Sequence, residues 1–339
     1  MSENSTNILI TGSAGFIGFH LCKRLCLEGY QVTGLDNLND YYDVDLKLER
    51  TRILKERSNF EFVKIDLNDD KLKEIFSEKK FDYVINLAAQ AGVRHSIEEP
   101  DDYVYSNISG FVRLIECCKK NDVKHFLYAS SSSVYGANKN MPFSAQDDTD
   151  HPMSLYAASK KSNEMIAHAY ASLFQLPVTG LRFFSVYGPY GRPDMALFKF
   201  TKGISEGTSI DVYNHGKMKR SFTYVDDVTE CISRLLDKTP TEDTNWDGVD
   251  RKPNSSYAPF RVLNIGNDEV IELMDYIKLI EKELSKQGIF NMLPMQPGDI
   301  AEAKPELSEL KELIGYRPNT SIASGVKSFI DWYKNYYNI

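Results

Sequence analysis

Asn7-Ile-Leu-Ile10 is a short apolar run that reads as a buried strand, and it leads directly into Gly12-Ser-Ala-Gly15-Phe-Ile-Gly18 and then a helical pattern over 16–28. Strand, glycine turn and helix in this order constrain the fold more than any other feature of the chain. The glycines permit a tight turn and a close backbone approach, and the amides at the helix start favour a phosphate group. The next strand, Gln31-Val-Thr-Gly-Leu35, ends on Asp36, about twenty residues beyond the turn, where a carboxylate can bond the ribose hydroxyls of a dinucleotide. An acid there repels a 2'-phosphate, so the spacing predicts NAD rather than NADP. The competing reading is that Asp36 ends a strand and caps a turn.

The same rhythm continues. Residues 60–65 end on Asp66-Leu67, 81–86 on Leu87-Ala-Ala-Gln90, and 125–129 on the serine run Ser130–Ser133, with helical segments at 71–78 and 102–120. A further strand at 177–182 leads into Phe183-Phe-Ser-Val-Tyr-Gly-Pro189. Strands alternating with helices predict an α/β chain with a doubly wound parallel sheet. From Val186 onward the pattern shifts to loops, short strands (210–213, 222–225) and helices, which predicts a smaller second domain over 186–339 after a first over 1–185. Asp226-Asp227 before the apolar-periodic run 228–236 reads as a capped helix start. Residues 238–259, polar and with three prolines, read as a surface loop, and 261–266 as another strand. Trp332, Tyr333, Tyr336 and Tyr337 read as packing residues that dock a last helix.

Composition excludes several classes. The chain has 339 residues, 42% of them hydrophobic, with no apolar run approaching the ~20 residues that span a bilayer. Met1-Ser-Glu-Asn-Ser-Thr6 lacks the basic start and apolar stretch of a secretory signal, so a cytoplasmic location is expected. A net charge of -8 argues against a nucleic-acid partner, while a small anionic ligand needs only a few local cations. The five cysteines, Cys22, Cys26, Cys117, Cys118 and Cys231, have no metal-ligand spacing; four fall in helix-like segments and read as buried thiols, and no metal is predicted.

The chemistry centres on Tyr156-Ala-Ala-Ser-Lys160. Four residues are one helical turn, so a helix over 155–174 puts phenol and ammonium on one face. A free phenol loses its proton near pH ~10, and a neighbouring cation moves that value down, which makes the phenol a general base and acid. By itself such a pair is common in helices. The serine run gives it weight, because it closes a strand at the carboxyl edge of the sheet, where open α/β folds bind their ligands.

Taken together, Gly12-x-x-Gly15-x-x-Gly18, Asp36 at its strand end, Asp66-Leu67, Ala88-Ala89, the serines before Val134-Tyr135-Gly136, and Tyr156-x-x-x-Lys160 resemble the extended short-chain dehydrogenase/reductase family. Within it, Asp36-Asn-Leu-Asn-Asp-Tyr-Tyr-Asp43, Gln90-Ala-Gly-Val-Arg94 and Lys217-Met-Lys-Arg-Ser-Phe-Thr-Tyr-Val-Asp-Asp227 are most similar to UDP-glucuronate 4-epimerases. The resemblance implies a Rossmann sheet in which Gly12, Gly15, Phe16, Ile17 and Gly18 hold the NAD pyrophosphate. It places Asp36 and Asn37 at the ribose, Asp66 and Leu67 at the adenine, and Leu87, Ala88 and Ala89 along the cofactor. Lys160 falls to the nicotinamide ribose, and Tyr156 both to the cofactor and to the proton of the sugar 4-hydroxyl. Ser131 occupies the catalytic serine position, with Ser132 and Ser133 near the sugar.

For a UDP-sugar substrate the resemblance implies contacts from Arg94, Ser131, Ser185, Arg192, Arg220 and Asp299. Arg220 is a candidate for the diphosphate. Arg192 is a candidate anchor for a uronic carboxylate, because a guanidinium offers it paired donors; its competing reading is a solvated loop arginine. Asp299 stands where relatives place a polar contact to the nucleotide, although Ala303-Lys-Pro-Glu306 departs from their acidic signature. Relatives that dehydrate or decarboxylate carry an acid just before Val-Tyr-Gly, and here that place is Ser133. The alternatives are a neutral UDP-hexose 4-epimerase, a UDP-glucuronate decarboxylase or nucleotide-sugar dehydratase, and a non-catalytic NAD-binding protein. The resemblance further implies that 222–266 returns to the Rossmann sheet, and that helices 102–120 and 155–174 form a homodimer contact.

Overall fold

Ile8, Leu9, Ile10, Val84, Ile85, Phe126, Leu127 and Tyr128 expose no surface at all. Strands buried on both faces belong in the middle of a parallel sheet covered by helices. The computed structural model describes residues 6–249, 251–296 and 300–339. Its strands in chain order are β1 (Asn7–Thr11), β2 (Gln31–Asp36), β3 (Phe60–Lys64), β4 (Tyr83–Asn86), β5 (His125–Ser131), β6 (Val178–Phe183), β7 (Ser185–Tyr187), β8 (Ser209–Val212), β9 (Lys219–Tyr224), β10 (Phe260–Ile265), β11 (Val270–Glu272), β12 (Ile289–Met292) and β13 (Glu302–Ala303). Seven of them form one parallel sheet in the order β10-β6-β5-β4-β1-β2-β3.

That order creates the ligand crevice. The chain builds outward from β1 to β3, then returns to lay β4 on the other side of β1, with Leu9 opposite both Thr33 and Val84. The loops after β1 and β4 therefore leave the sheet in opposite directions and open a gap at its carboxyl edge. Helices Phe16–Leu27 and Val225–Leu235 cover one face, burying Phe19, Leu21, Val228 and Ile232. Helices Lys71–Glu78, Gly110–Lys120 and Leu155–Phe174 cover the other, burying Leu72, Phe76, Phe111, Leu114 and Ala167.

The late strand β10 joins this sheet beside β6, parallel to it, with Val262 opposite Gly180. β7, β9, β11 and β13 make a second small sheet, and β8 pairs with β12. A separate core of Phe198, Ile277, Val326, Phe329 and Tyr333 lies under the last helix, Ile322–Tyr337, with Trp332, Tyr336 and Tyr337 packed against it.

Several local expectations change. The helix expected over 102–120 begins at Pro100 and passes through a π-helical stretch, Val104–Ser109, before its regular part. Helix Val44–Lys55 was not foreseen. Asp226 and Asp227 lie inside the first turn of Val225–Leu235, which has no side-chain cap. Asp227 instead accepts from the Tyr316 hydroxyl at 2.5 Å and the Thr320 amide at 3.0 Å, fastening the C-terminal segment. All five cysteines, not four, are in helices, buried and unpaired. Among the described residues no helix is long and apolar enough to cross a membrane.

Candidate active site

The crevice opens into a cleft of about 970 Å³ that runs from the glycine turn to the second sheet. At one end Gly12 has φ +72°, and a Cβ on it would lie 2.7 Å from the Ala88 nitrogen. A Cβ on Gly18 would lie 2.0 Å from the Gly12 carbonyl oxygen. Neither position admits a side chain, and the first turn of helix Phe16–Leu27, with Gly15 as an N-cap that makes no side-chain bond, is left open to the cleft. Phe16 and Ile17 line it beside them.

Asp36 is buried and accepts one backbone N–H on each oxygen, from Ala14 at 3.0 Å and Leu38 at 2.9 Å. Each oxygen keeps acceptor capacity for a hydroxyl. Burial pushes its carboxyl above the ordinary value, with the Leu38 amide, the Lys47 charge, the Ala14 amide and the Arg50 charge opposing. Asn37 donates to Asp66 at 2.8 Å, which fixes the two strand ends to each other. Asp66 and Leu67 border the cleft on one side, and Leu87, Ala88 and Ala89 on the other. A glycine cradle without room for a Cβ, followed by a carboxylate with unused acceptors, fits a dinucleotide diphosphate and ribose.

At the other end stand the residues of the chemistry. Ser131 closes β5 and its hydroxyl lies within hydrogen-bonding reach of the Tyr156 phenol. Ser132 and Ser133 turn into a 3-10 helix, Ser132–Tyr135, with the Ser131 Oγ accepting from the Ser133 amide at 3.2 Å. Burial raises the Tyr156 phenol, while the Ser131 bond and the charge of Arg192 pull it down. Lys160, one turn along, is buried and donates to the Ala129 carbonyl at 2.9 Å. Burial brings its ammonium down to about 8. The Ala129 carbonyl thus fixes the Lys160 ammonium one turn from Tyr156, and the charge of Arg192 acts on the phenol as well.

Arg192 is no solvated loop arginine. Its side chain is 22% exposed, and its Nε and Nη2 both bond the carboxylate of Asp194, the first at 3.0 Å. The paired donors expected to meet a substrate carboxylate thus already hold one from the chain itself. Ser185 lies on β7 and lines the same cleft. Arg220, on β9, donates to the carbonyls of Lys219 at 2.9 Å and Ala301 at 3.0 Å. Arg94 lays its guanidinium over the Tyr213 ring, 4.6 Å from the centroid. All of these border the same cleft; Asp299 lies outside the described residues.

Three groups were missed in the sequence. Asn107, in the π-helical stretch, accepts from the Gln90 amide at 2.8 Å and donates to the Gln90 carbonyl and the Ser159 hydroxyl, each at 3.0 Å. It ties the loop after β4 to the helix that bears Tyr156, and π-helical turns concentrate at such places. Glu164 and Arg182 form a buried ion pair behind the serines. Asp194 gave no signal except its distance of two residues from Arg192.

The sequence pattern of the NAD dependent epimerase/dehydratase family matches residues 8–246. The chain belongs to that family. Protein CapI of Staphylococcus aureus is 53% identical over 331 residues, 97% of this chain and 99% of that one. A probable UDP-glucuronate 4-epimerase of Rhizobium meliloti (strain 1021) is 46% identical over 337 residues, 97% of each. Among solved structures, UDP-glucuronic acid 4-epimerase of Bacillus cereus in complex with UDP-glucuronic acid and NAD superposes with a TM-score of 0.85 at 31% identity, covering 98% of this chain and 100% of that one. Membership in an NAD-dependent family agrees with the dinucleotide geometry of the glycine turn and Asp36.

Proposed function

We propose that the chain catalyses the NAD-dependent C4 epimerisation of a UDP-uronic acid, UDP-glucuronate to UDP-galacturonate. The observation that carries the uronic acid is the position of Arg192, a cation at the sugar end of the cleft close enough to act on the Tyr156 phenol. The names of the relatives point the same way.

NAD, when bound along Gly12–Gly18 and Asp36, supplies reversible hydride acceptance. Tyr156 takes the proton of the sugar 4-hydroxyl as C4 becomes a ketone and returns it once the sugar presents its other face. Ser131 holds the phenol, and Lys160, fixed by the Ala129 carbonyl, keeps a positive charge at the nicotinamide end. A 4-ketouronic acid is a β-keto acid and loses carbon dioxide readily, so its carboxylate has to be held still. Ser132, Ser133 and Ser185 offer hydroxyls for that, and Arg192 the charge. No acid occupies positions 132 or 133, so the proton transfer of an elimination lacks an agent there.

A second reading rests on Asp194. With its fork already neutralised, Arg192 presents an ion pair rather than a bare cation, and such a wall also suits a neutral UDP-hexose. The test is incubation of the purified protein with UDP-glucuronate without added cofactor, followed by NMR of the sugar and of carbon dioxide. The expected result is UDP-galacturonate with no carbon dioxide. Release of carbon dioxide with a pentose product would make the protein a decarboxylase; turnover of UDP-galactose alone would establish the second reading.

The same assay distinguishes the role of Arg192. Arg192→Ala should lower kcat/KM for the uronic acid roughly 10- to 100-fold more than for a neutral UDP-hexose, the range of one charged hydrogen bond. Equal losses on both sugars would remove it as the carboxylate anchor.

A further inference from the structure

Arg50 is 0% exposed. Its Nη1 donates to the Ala14 carbonyl and the Tyr42 hydroxyl, both at 2.8 Å. Its Nη2 donates to the Tyr190 carbonyl at 2.6 Å and, at 3.5 Å, to that of Gly191. Every one of these acceptors is neutral, and the Nε is buried without a partner. A buried cation is held at a cost unless something compensates its charge. Here its field reaches Asp36, whose carboxyl it lowers.

The three segments it joins are far apart in the chain and together enclose one end of the cleft. Ala14 sits in the glycine turn, where its own N–H goes to Asp36. Tyr42 belongs to the strap 37–43, which crosses beside Asp36. Tyr190 and Gly191 lead directly into Arg192. Tyr190 has φ +57°, a left-handed backbone that is unusual for a bulky residue. That conformation persists because Arg50 holds the carbonyl while Phe19 and Trp332, each with ring centroids 4.9 Å away, hold the ring.

We propose that Arg50 is the latch that retains the dinucleotide. It is a positioning residue: it ties the glycine turn to the strap and to the loop of the sugar site, and its charge, which already acts on Asp36, lies behind the turn that would hold the NAD diphosphate. Cofactor occupancy and the placement of Arg192 are thereby coupled, so that an enzyme which must regenerate its NAD in each cycle does not release it between cycles. The inference rests on the cofactor site described above and not on the identity of the sugar.

The test uses no sugar. Wild type, Arg50→Gln, Arg50→Lys and Tyr42→Phe are purified; the NAD released per chain on denaturation, its dissociation rate against excess unlabelled NAD, and the shift in Tm caused by added NAD are measured. Arg50→Gln should lose most of its co-purified NAD and bind added NAD at least about tenfold more weakly. Arg50→Lys, which keeps the charge but cannot span three segments, should fall between. Tyr42→Phe, which removes one neutral partner, should release NAD several-fold faster and decides the matter if Arg50→Gln does not fold. A merely structural arginine would lower Tm equally with and without NAD and leave the NAD off-rates unchanged, and that result would overturn the latch. Full NAD content and exchange in a protein that fails to epimerise any sugar would sink the proposed reaction, not the latch.

Discussion

Tyr156→Phe should remove nearly all turnover, on the order of 10²- to 10⁴-fold, while the protein still purifies with NAD. The substitution deletes one oxygen at the phenol, the atom held by Ser131, and leaves the ring, its edge contact with Tyr103 and the glycine turn in place. The glycine turn and Asp36, proposed to hold the cofactor, are untouched, so loss of turnover together with unchanged NAD content would separate chemistry from binding. Retained activity would exclude Tyr156 as the acid and base. The pH profile carries the same argument. Burial holds the Tyr156 phenol above its usual value, so the base form is scarce at low pH and activity should climb as pH rises. Lys160, brought down to about 8, carries its charge below that pH and loses it above, so kcat/KM should turn over as the ammonium discharges. A profile that keeps rising well past pH 8 would show that the Lys160 charge has no part in the reaction.

What the sequence made legible was what depends on local pattern. The glycine turn, the acid at the end of β2 and the Tyr156–Lys160 spacing were readable because each is fixed within one strand or one helical turn, and the cleft gathers all of them. Less readable were groups whose partners come from afar. Helix Val44–Lys55 is hard to read because its buried positions are Leu46, Lys47, Arg50, Thr51 and Leu54, and the three polar ones break the apolar spacing that marks a helix face. Arg50 meets partners up to 141 positions away, which no local pattern could reveal. Arg192 was singled out as a cation near the sugar, yet nothing in Arg192-Pro-Asp194 tells that the two side chains would pair within the cleft wall rather than face solvent. The π-helical stretch around Asn107 could not be separated from an ordinary helix by periodicity, since it adds only one residue to a turn.

Glu164→Gln should destabilise the fold by about 3–5 kcal/mol, the usual cost of leaving one buried charge without its partner. Register sets the site: Ser130 on β5 lies opposite Arg182 on β6, and both reach the same carboxylate on helix Leu155–Phe174. The Arg182 Nε and Nη2 each bond a Glu164 oxygen at 2.9 Å, Ser130 adds a third bond at 2.6 Å, and the pair is 0% and 3% exposed. The remaining Arg182 donor bonds the Tyr135 hydroxyl and the Ala145 carbonyl, each at 3.1 Å. Water cannot replace the lost acceptor so far inside, which is why the effect should greatly exceed that of an exposed pair such as Lys278–Asp275. By the scaling of unfolding entropy with chain length, the midpoint should fall roughly 4–7 °C. A double variant, Glu164→Leu with Arg182→Met, removes both charges and should recover much of the loss, since an apolar pair has nothing to desolvate. Glu164 is two helical turns beyond Tyr156, so a loosened helix also displaces the phenol; turnover should then fall, but by less than in Tyr156→Phe. If Glu164→Gln left the midpoint unchanged, the helix would have to be held by its apolar face alone, and the ion pair would contribute nothing to the placement of Tyr156.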